Sequence, residues 1–146
     1  MQLKVKLNID PSLPEEKAEF WLKKMTARFE RITKELNSEQ DFLWCYRDAD
    51  AYEINFSQIY AIQKEKKKTM ICTQNQKYVY RGRLYQVQSV LPNDFIMISR
   101  GTIVNYHFID HLEIINTGNI DALLENGLRV QVSRRRIKDL KERLGL

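Results

Sequence analysis

The chain has 146 residues, of which 43% are hydrophobic and 10% aromatic, enough for one compact domain with a core. No apolar run approaches the roughly 20 residues that a membrane-spanning helix needs. At the N-terminus apolar and polar residues alternate, whereas a signal peptide would have a continuous apolar stretch. We therefore expect a cytoplasmic protein. Cys45 and Cys72 are isolated from each other and lack metal or redox spacing, so we interpret both as reduced packing residues, with redox sensing as the alternative.

The positive charge is concentrated in the second part of the chain. Residues 1–53 contain 9 Lys and Arg against 11 Asp and Glu, a net −2, whereas residues 54–146 contain 15 against 8, a net +7. Together these give the net charge of +5. An acidic N-terminal part and a basic C-terminal part indicate two regions with different partners, the basic one suited to a polyanion. A solvated basic face would give the same charge count.

The first 40 residues predict a strand followed by a helix. Apolar residues alternate with polar ones from Leu3 to Ile9, the period of a half-buried strand. Ser12 and Glu15 have capping-box spacing, and Pro14 is tolerated in a first turn, so we expect the helix to begin there and end near Asn37-Ser38. The domain boundary is expected at residue 40.

The predicted helix has an apolar stripe at intervals of 4, 3, 4, 3 and 4 residues, formed by Ala18, Leu22, Met25, Phe29, Ile32 and Leu36 and widened by Trp21. One interpretation is a coiled-coil-like dimerisation seam. The other is an amphipathic helix packed on its own strand and on the following domain. We favour the second, because so short a heptad run is weak evidence for a coiled coil.

From Asp41 onward the pattern changes to short strands separated by polar turns. The predicted strands are Phe42 to Arg47, Glu53 to Gln63, Thr69 to Thr73, Lys77 to Tyr80, Phe95 to Ser99, Phe108 to Ile115, Asp121 to Leu124 and Arg129 to Val132. Many short strands predict a mainly β fold with some helix, arranged as a sandwich or as stacked sheets.

The connections between these strands are also predicted. Turn residues at 116–119 and 125–127 favour hairpins. A short helix is expected around Leu84 to Leu91, and a C-terminal helix from Arg134 to Leu144 with Ser133 as its N-cap.

The order of these elements resembles the LytTR DNA-binding domain over residues 41–146. The resemblance is carried by a strand with Ile59 and Ile62, a polar turn, a short helix ending at Leu91, Phe95-x-x-Ile98-Ser99-Arg100-x-x-Ile103-Val104-Asn105, a hairpin, and Val132-Ser133-Arg134 followed by Leu140-Lys141. It implies a bacterial transcription regulator built from an elongated stack of antiparallel β-sheets, which inserts loops rather than a recognition helix into successive major grooves of duplex DNA.

The resemblance also implies roles for particular residues. Arg100 and Arg134 match two DNA-contacting loops, and the turn ending in Lys66, Lys67, Lys68 and Thr69 matches a third. Arg135 would add a contact to the DNA backbone if its helix end faces the duplex. Arginine can pair with guanine O6 and N7, which discriminates between bases by roughly 1–3 kcal/mol per bidentate contact. Lysines are compact charges suited to phosphates, so we expect the arginines to read the sequence and the lysines to bind the backbone. A lysine-rich turn can also be merely solubilising.

Two positions depart from the family pattern, and one matches it closely. Gln58 stands where an acidic residue is usual, and Gly101 follows Arg100 where a bulkier polar residue is common, which leaves the loop geometry at Arg100 open. Asn105 matches a nearly universal asparagine. We interpret it as structural, with its side chain bonding the loop backbone.

Catalytic interpretations have little support in the sequence. His107 and His111 would share one face of a strand and superficially resemble a metal pair, but half-exposed histidines without that role are the more common case. We predict a non-enzyme without a cofactor.

Two functional classes remain open. The first is a sequence-specific DNA-binding regulator; the second is a basic RNA-binding or protein-interaction module, for which Tyr78, Tyr80 and Tyr85 offer a partial stacking surface. Forty residues cannot hold the phosphorylatable receiver domain common in this family. We therefore expect the N-terminal extension to mediate homodimerisation or to contact a regulatory partner such as a membrane protein.

Overall fold

Antiparallel β-sheets form most of the computed structural model, which describes residues 3–37, 40–116 and 118–146. The strands are β1 Phe42–Arg47, β2 Asp50–Asn55, β3 Ala61–Glu65, β4 Lys68–Cys72, β5 Lys77–Tyr80, β6 Phe95–Ser99, β7 Thr102–Asn105, β8 Ile109–Ile115, β9 Asn119–Leu124 and β10 Arg129–Val132. The helices are α1 Ala27–Asn37, α2 Leu84–Gln88 and α3 Ile137–Leu144. Short 3₁₀ turns occupy Phe56–Gln58, Tyr106–Phe108 and Arg134–Arg136.

The larger sheet has the strand order β2-β1-β5-β4-β3-β7-β6, and the smaller one has the order β10-β9-β8. Every pairing in them is antiparallel. The mainly β prediction with stacked antiparallel sheets is therefore confirmed. The hairpins predicted at 116–119 and 125–127 join β8 to β9 and β9 to β10, although Thr117 itself lies outside the described residues.

The two faces of the larger sheet pack into two separate cores, as the alternation of side chains along a strand requires. In β3, Ala61 joins the core shared with the smaller sheet and with Leu140 of α3, whereas Ile62 joins the core under α2. In β7, Val104 and Ile103 divide in the same way, and all four residues of that strand are buried. Each fully buried Leu or Ile contributes roughly 1.5–3 kcal/mol of transfer free energy, so the two cores hold the sheets and helices in a fixed arrangement.

Several predicted strands are confirmed at both ends, and two regions of the β-rich part needed correction. The bounds of β1, β5, β6 and β10 agree with those expected from the sequence. The single strand predicted over Glu53 to Gln63 is wrong, because a 3₁₀ turn at Phe56–Gln58 divides it into β2 and β3. Strand β7 was not predicted, because only four residues separate the Arg100-Gly101 turn from the turn that begins at Tyr106.

The N-terminal strand prediction is wrong. Residues 3–10 are not part of either sheet, and the side chains of Leu7 and Ile9 are 86% and 94% exposed. A period-2 pattern describes a strand only when a neighbouring strand satisfies its backbone, and no described strand pairs with this segment. Met1 and Gln2 lie outside the described residues.

The helix predicted from Ser12 begins 15 residues later, at Ala27 of α1. The Ser12 hydroxyl and backbone N–H both donate to the Asp10 carboxylate, at 2.6 and 3.0 Å, which forms a local turn in place of the predicted capping box. Thr26 is the cap instead, since its Oγ1 accepts from the backbone N–H of Phe29 at 3.3 Å. Phe29 is buried, which agrees with a packed helix, but Leu36 is exposed, and Ser38 lies outside the described residues.

The C-terminal helix also begins later than predicted. Arg134–Arg136 form a 3₁₀ turn, and α3 starts at Ile137. Ser133 is not a side-chain cap: its buried Oγ has no hydrogen-bond partner, while its backbone N–H donates to the Ile98 carbonyl at 2.8 Å. That backbone bond ties the start of the C-terminal segment to β6.

Candidate nucleic-acid interface

Three connections meet at one end of the larger sheet because of its strand register. The pair Glu65 and Lys68 closes the β3–β4 turn, and Ser99 and Thr102 close the β6–β7 turn. Strand β3 pairs with β7 so that Gln63 lies opposite Thr102, which brings these two turns side by side. The end of β5 lies opposite the start of β4, so the connection to α2 emerges at the same place.

Together these connections line an open groove of about 830 Å³, which we call the turn groove. Its cationic side chains are Lys64, Lys67, Lys68, Arg83 and Arg100. No carboxylate lines it among the described residues. Five cations converging on one concavity without an acid create a local positive potential suited to a polyanion.

The acidic residue within the lysine turn does not neutralise this charge. The Glu65 carboxylate accepts a hydrogen bond from Lys77 Nζ at 2.9 Å. Because this hydrogen bond to Glu65 stabilises the protonated form of Lys77, the pKa of Lys77 is raised above its ordinary value. Glu65 is thus paired with a lysine that does not line the groove, and the groove lysines keep their net charge.

The lysine turn has a strained backbone at its tip. Lys66 has a φ of +57°, in the left-handed region that a side chain normally disfavours by roughly 1–2 kcal/mol. A glycine would adopt this conformation freely, so the turn keeps a lysine where a glycine would relieve strain. Lys66 is exposed beside the turn groove but does not line it, unlike Lys67 and Lys68.

Thr69 lies in the turn groove, yet its hydroxyl is already used. Its Oγ1 donates to the Gly82 carbonyl at 2.7 Å, and the side chain is only 4% exposed. Gly82 immediately precedes Arg83, so this bond fixes the connection that carries the Arg83 guanidinium into the groove. A Cβ on Gly82 would lie 2.6 Å from the Tyr80 ring, which explains the glycine at this position.

Arg100 projects from a tight turn that follows a β-bulge. The register between β6 and β7 shifts between Met97 and Ser99, which rotates the end of β6 before Arg100. Gly101 at the next position accepts a hydrogen bond from the Lys64 backbone N–H at 2.8 Å. Its φ is not in the left-handed region, and a Cβ there would meet Lys64 Cβ at an ordinary 3.7 Å. The backbone at Arg100 therefore does not depend on glycine.

Arg134 and Arg135 lie outside the turn groove, at the end of the smaller sheet. Both side chains are exposed, and Arg134 Nη2 makes a long hydrogen bond of 3.4 Å to Asn119 Oδ1. They are nevertheless anchored close to Arg100 along the backbone, because Ser133 donates to Ile98, two residues before Arg100. The structure thus gathers Lys67, Lys68, Thr69 and Arg100 in one groove and places the arginine pair beside it.

Arg83 lines the turn groove but was not among the site residues predicted from the sequence, and Tyr85, considered there only as part of a stacking surface, lines the groove as well. The Arg81-Gly82-Arg83 run was a signal that could have drawn attention to this connection. Tyr85 is 66% exposed on the first turn of α2, whereas Tyr78 is buried against Tyr52 with ring centroids 5.5 Å apart. The tyrosines therefore do not form the flat row of adjacent exposed rings that a single-strand reader uses for base stacking.

The histidines and cysteines have structural surroundings. His107 lies in a 3₁₀ turn, not on a strand, and its Nε2 is 2.6 Å from Asp94, while His111 Nδ1 is 2.7 Å from Asp110. The two therefore do not form the one-faced pair considered from the sequence. Burial raises the pKa of Cys45 to about 12 and also raises that of Cys72, so both side chains stay as unreactive thiols at neutral pH.

Comparison with known proteins agrees with this β-rich architecture. The family model described as the LytTr DNA-binding domain matches residues 49–145. The chain belongs to the LytTr DNA-binding domain family. It is therefore a DNA-binding protein and not an enzyme, as the sequence predicted. A solved LytTr DNA-binding domain from Bacillus cereus superposes with a TM-score of 0.68 at 22% identity, covering 73% of this chain and 99% of that one, which supports the fold.

The relatives share more than the LytTr domain. A Staphylococcus aureus protein named as an uncharacterized HTH-type transcriptional regulator is 31% identical over 146 residues, covering 99% of each chain. Another of the same description, from strain MSSA476, is 36% identical over 101 residues, or 69% of each. The first similarity includes the N-terminal extension. Within the described residues five strands separate α2 from either other helix, so no helix-turn-helix unit corresponds to the label in those names.

None of the described helices combines the length and the hydropathy that a bilayer crossing requires.

Proposed function

We propose that this LytTr protein is a transcription regulator that binds duplex DNA sequence-specifically through loops in the major groove. The observation that carries the proposal is the turn groove, where five cations from three connections converge without a carboxylate. Phosphate contacts supply most of the affinity of such proteins and fix the register of the duplex. The relatives named as transcriptional regulators support the regulatory role.

Within this proposal the cations divide into two tasks. Arg100 and Arg134 read base edges, because each is an exposed planar fork at the tip of a connection and can pair with guanine. Lys66, Lys67, Lys68 and Arg135 bind the phosphate backbone. Thr69 positions Arg83 through the Gly82 carbonyl and does not itself contact a base.

A comparison of duplexes tests the reading role of the arginines. DNA fragments selected from a random pool by the full-length protein define a preferred duplex, and affinity is then measured for that duplex and a scrambled one. Arg100→Ala or Arg134→Ala is expected to reduce the preference by about 5- to 150-fold, the equivalent of losing one bidentate base contact. Arg28→Ala is the matched control, since Arg28 is exposed on α1 outside the turn groove.

Two results would contradict the proposal. Equal weakening of both duplexes by Arg134→Ala would show that this side chain binds only phosphate. A preference of the wild-type protein for single-stranded RNA over any selected duplex would favour the alternative, a basic RNA-binding module.

We also propose that residues 1–40 form a separate part that pairs with a second copy of the chain. Leu7, Ile9 and Trp21 are 86%, 94% and 84% exposed, and Leu3 and Val5 continue the same alternation. So many apolar side chains in one segment are typical of an interaction surface. A homodimer would bring two reading domains onto repeated promoter sites in the bacterial cytoplasm.

Sedimentation of the full-length protein tests the dimer. The wild type is expected to sediment as a dimer and the double variant Leu7→Lys, Ile9→Lys as a monomer, whereas Lys4→Ala, Lys6→Ala leaves the dimer intact. A monomeric wild type would contradict the dimer and would favour the other proposed partner, a regulatory membrane protein contacting the same apolar residues.

A further inference from the structure

A second groove lies between α1 and the C-terminal segment, separate from the lysine turn. It has a volume of about 360 Å³, and we call it the α1–α3 groove. Its charged side chains are Arg31, Lys34 and Glu35 of α1, and Arg136, Asp139 and Arg143 of the C-terminal segment. Residues 31, 34 and 35 share one face of α1, and residues 139 and 143 share one face of α3, which Arg136 directly precedes. Apolar residues of β6, including Ile96 and Met97, also line it.

The positive charges of this groove are only partly neutralised by the described carboxylates. Four cations face two carboxylates, an excess of two positive charges. None of the four cations takes part in an ion pair with a described carboxylate. Arg136 Nη2 instead contacts the sulfur of Met97 at 3.6 Å, a weak acceptor for a guanidinium.

Arg143 keeps one buried hydrogen-bond donor without a partner among the described residues. Its Nη1 donates to the Asn93 carbonyl at 2.6 Å, but its buried Nε has no hydrogen-bond partner. The buried Oδ1 of Asn93 also lacks a partner, and as an acceptor it can bind only a protonated oxygen of an anion. Burial lowers the pKa of Arg143, and the positive charge of Arg31 across the groove lowers it further. Two guanidiniums facing each other in a partly desolvated groove repel, unless an anion lies between them.

We propose that the α1–α3 groove binds a phosphate-type oxyanion, held between Arg31 and Lys34 of α1 and Arg136 and Arg143 of the C-terminal segment. A phosphate monoester carries a charge of about −1.5 to −2 at pH 7, which matches the excess of two positive charges. Guanidiniums bind phosphate oxygens through paired hydrogen bonds, and the groove offers three of them. The volume is sufficient for a small ligand.

Binding at this groove would reach the DNA-binding loops directly. Arg136 is adjacent to the Arg134-Arg135 pair, and Met97, which it contacts, lines the turn groove as well. The anion would also join α1 to the reading domain, since the groove has cations from both. The same phosphate chemistry has two sources, a free phosphorylated compound or a phosphate of the DNA backbone. Only the second source depends on the proposed function.

Titration of the full-length protein with inorganic phosphate tests the site. Calorimetry and thermal unfolding are run against sodium chloride at equal ionic strength. We expect saturable phosphate binding that stabilises the wild type, and about tenfold or greater weakening of that binding in Arg31→Gln and in Arg136→Gln, since each loses a charge-assisted hydrogen bond. Arg28→Gln is the matched control on α1 and keeps wild-type binding. Arg143 is left unchanged because its bond to Asn93 contributes to the fold.

DNA binding of the same variants distinguishes the two sources. If the site takes a backbone phosphate, Arg31→Gln lowers the slope of log affinity against log salt by about 0.9 relative to Arg28→Gln. If the site takes a free phosphorylated compound, this slope is unchanged and phosphate binding is lost only in the groove variants. Phosphate no better than chloride, together with equal slopes, would overturn the proposal, as would phosphate binding retained in both Arg31→Gln and Arg136→Gln.

The experiments distinguish an error in the phosphate-site proposal from an error in the DNA-reading proposal. If Arg100→Ala and Arg134→Ala do not alter the preference among duplexes, the reading proposal fails, while phosphate titration still reports on the α1–α3 groove. If phosphate binding is absent while duplex preference responds to Arg100, only the groove proposal fails.

Discussion

Removing three cations from the turn groove should change the salt dependence of DNA binding by a predictable amount. The triple variant Lys67→Ala, Lys68→Ala, Arg83→Ala removes three of the five cations that line the groove. Each neutralised phosphate contributes about 0.9 to the slope of log affinity against log salt, so the slope should fall by about 2.7. Between 50 and 200 mM salt, a fourfold change, the wild-type affinity should therefore fall about 40-fold more than that of the variant.

Fluorescence anisotropy with one duplex at five or six salt concentrations measures this slope. The matched control is Lys6→Ala, Lys23→Ala, Lys24→Ala, which removes the same charge from exposed positions of the N-terminal segment. We expect the control to keep the wild-type slope. A slope unchanged in the groove variant, or lowered equally in both variants, would show that net charge rather than the groove determines binding.

Three further predictions concern stability, measured by urea unfolding. Leu140→Ala should lower the free energy of unfolding by about 2–5 kcal/mol, because Leu140 is 1% exposed and joins α3 to the core, whereas Leu36→Ala should cost less than about 0.5 kcal/mol. Asn105→Ala should cost about 1–3 kcal/mol, since its Oδ1 accepts from the His107 backbone N–H. Burial raises the pKa of Cys45 from 9.0 to about 12, so folding keeps the thiol protonated where the unfolded chain would lose the proton. The free energy of unfolding gained from the buried thiol is therefore complete below pH 9 and declines toward pH 12. In Cys45→Ala the free energy of unfolding should depend less on pH over that range.

The strands could be predicted where hydrophobic alternation and turn residues agreed. Phe42–Arg47 and Lys77–Tyr80 are bounded by turn residues on both sides, and their bounds were confirmed. The N-terminal alternation from Leu3 to Ile9 is equally regular, yet the segment pairs with no described strand. Local pattern predicts a side-chain period, but only a partner strand satisfies the backbone, and the partner is not a property of the segment itself.

The helix start shows the same limit at the scale of single hydrogen bonds. Ser12 and Glu15 have capping spacing, but the Ser12 hydroxyl donates a hydrogen bond to the Asp10 carboxylate and does not cap a helix. Thr26 has no such competitor and caps α1. A capping signal in the sequence is therefore conditional on the residues just before it.

Part of the candidate site could be predicted from the sequence, and part could not. Arg100 and the lysine turn could be placed from the family resemblance, whereas Arg83 enters the groove only because β5 lies opposite β4 and delivers the following connection to the same end. The deeper position of Thr69 follows from one hydrogen bond to Gly82 that joins residues 13 positions apart. The position of Arg83 in the groove and the burial of Thr69 both depend on the pairing of distant strands, which residue spacing along the chain does not reveal.

One strand, β6, connects the features that bear on function. Its last residues lead through the bulge to Arg100, the Ile98 carbonyl anchors the segment that carries Arg134, and Met97 lines both grooves. The strand is buried on the faces that pack against α2 and the smaller sheet, so it does not adjust independently of the cores. A shift of the C-terminal segment relative to β6 would therefore alter the separation of Arg100 and Arg134. The Ser133–Ile98 hydrogen bond and the packing of Leu140 in the core of Ile98 both hold this separation.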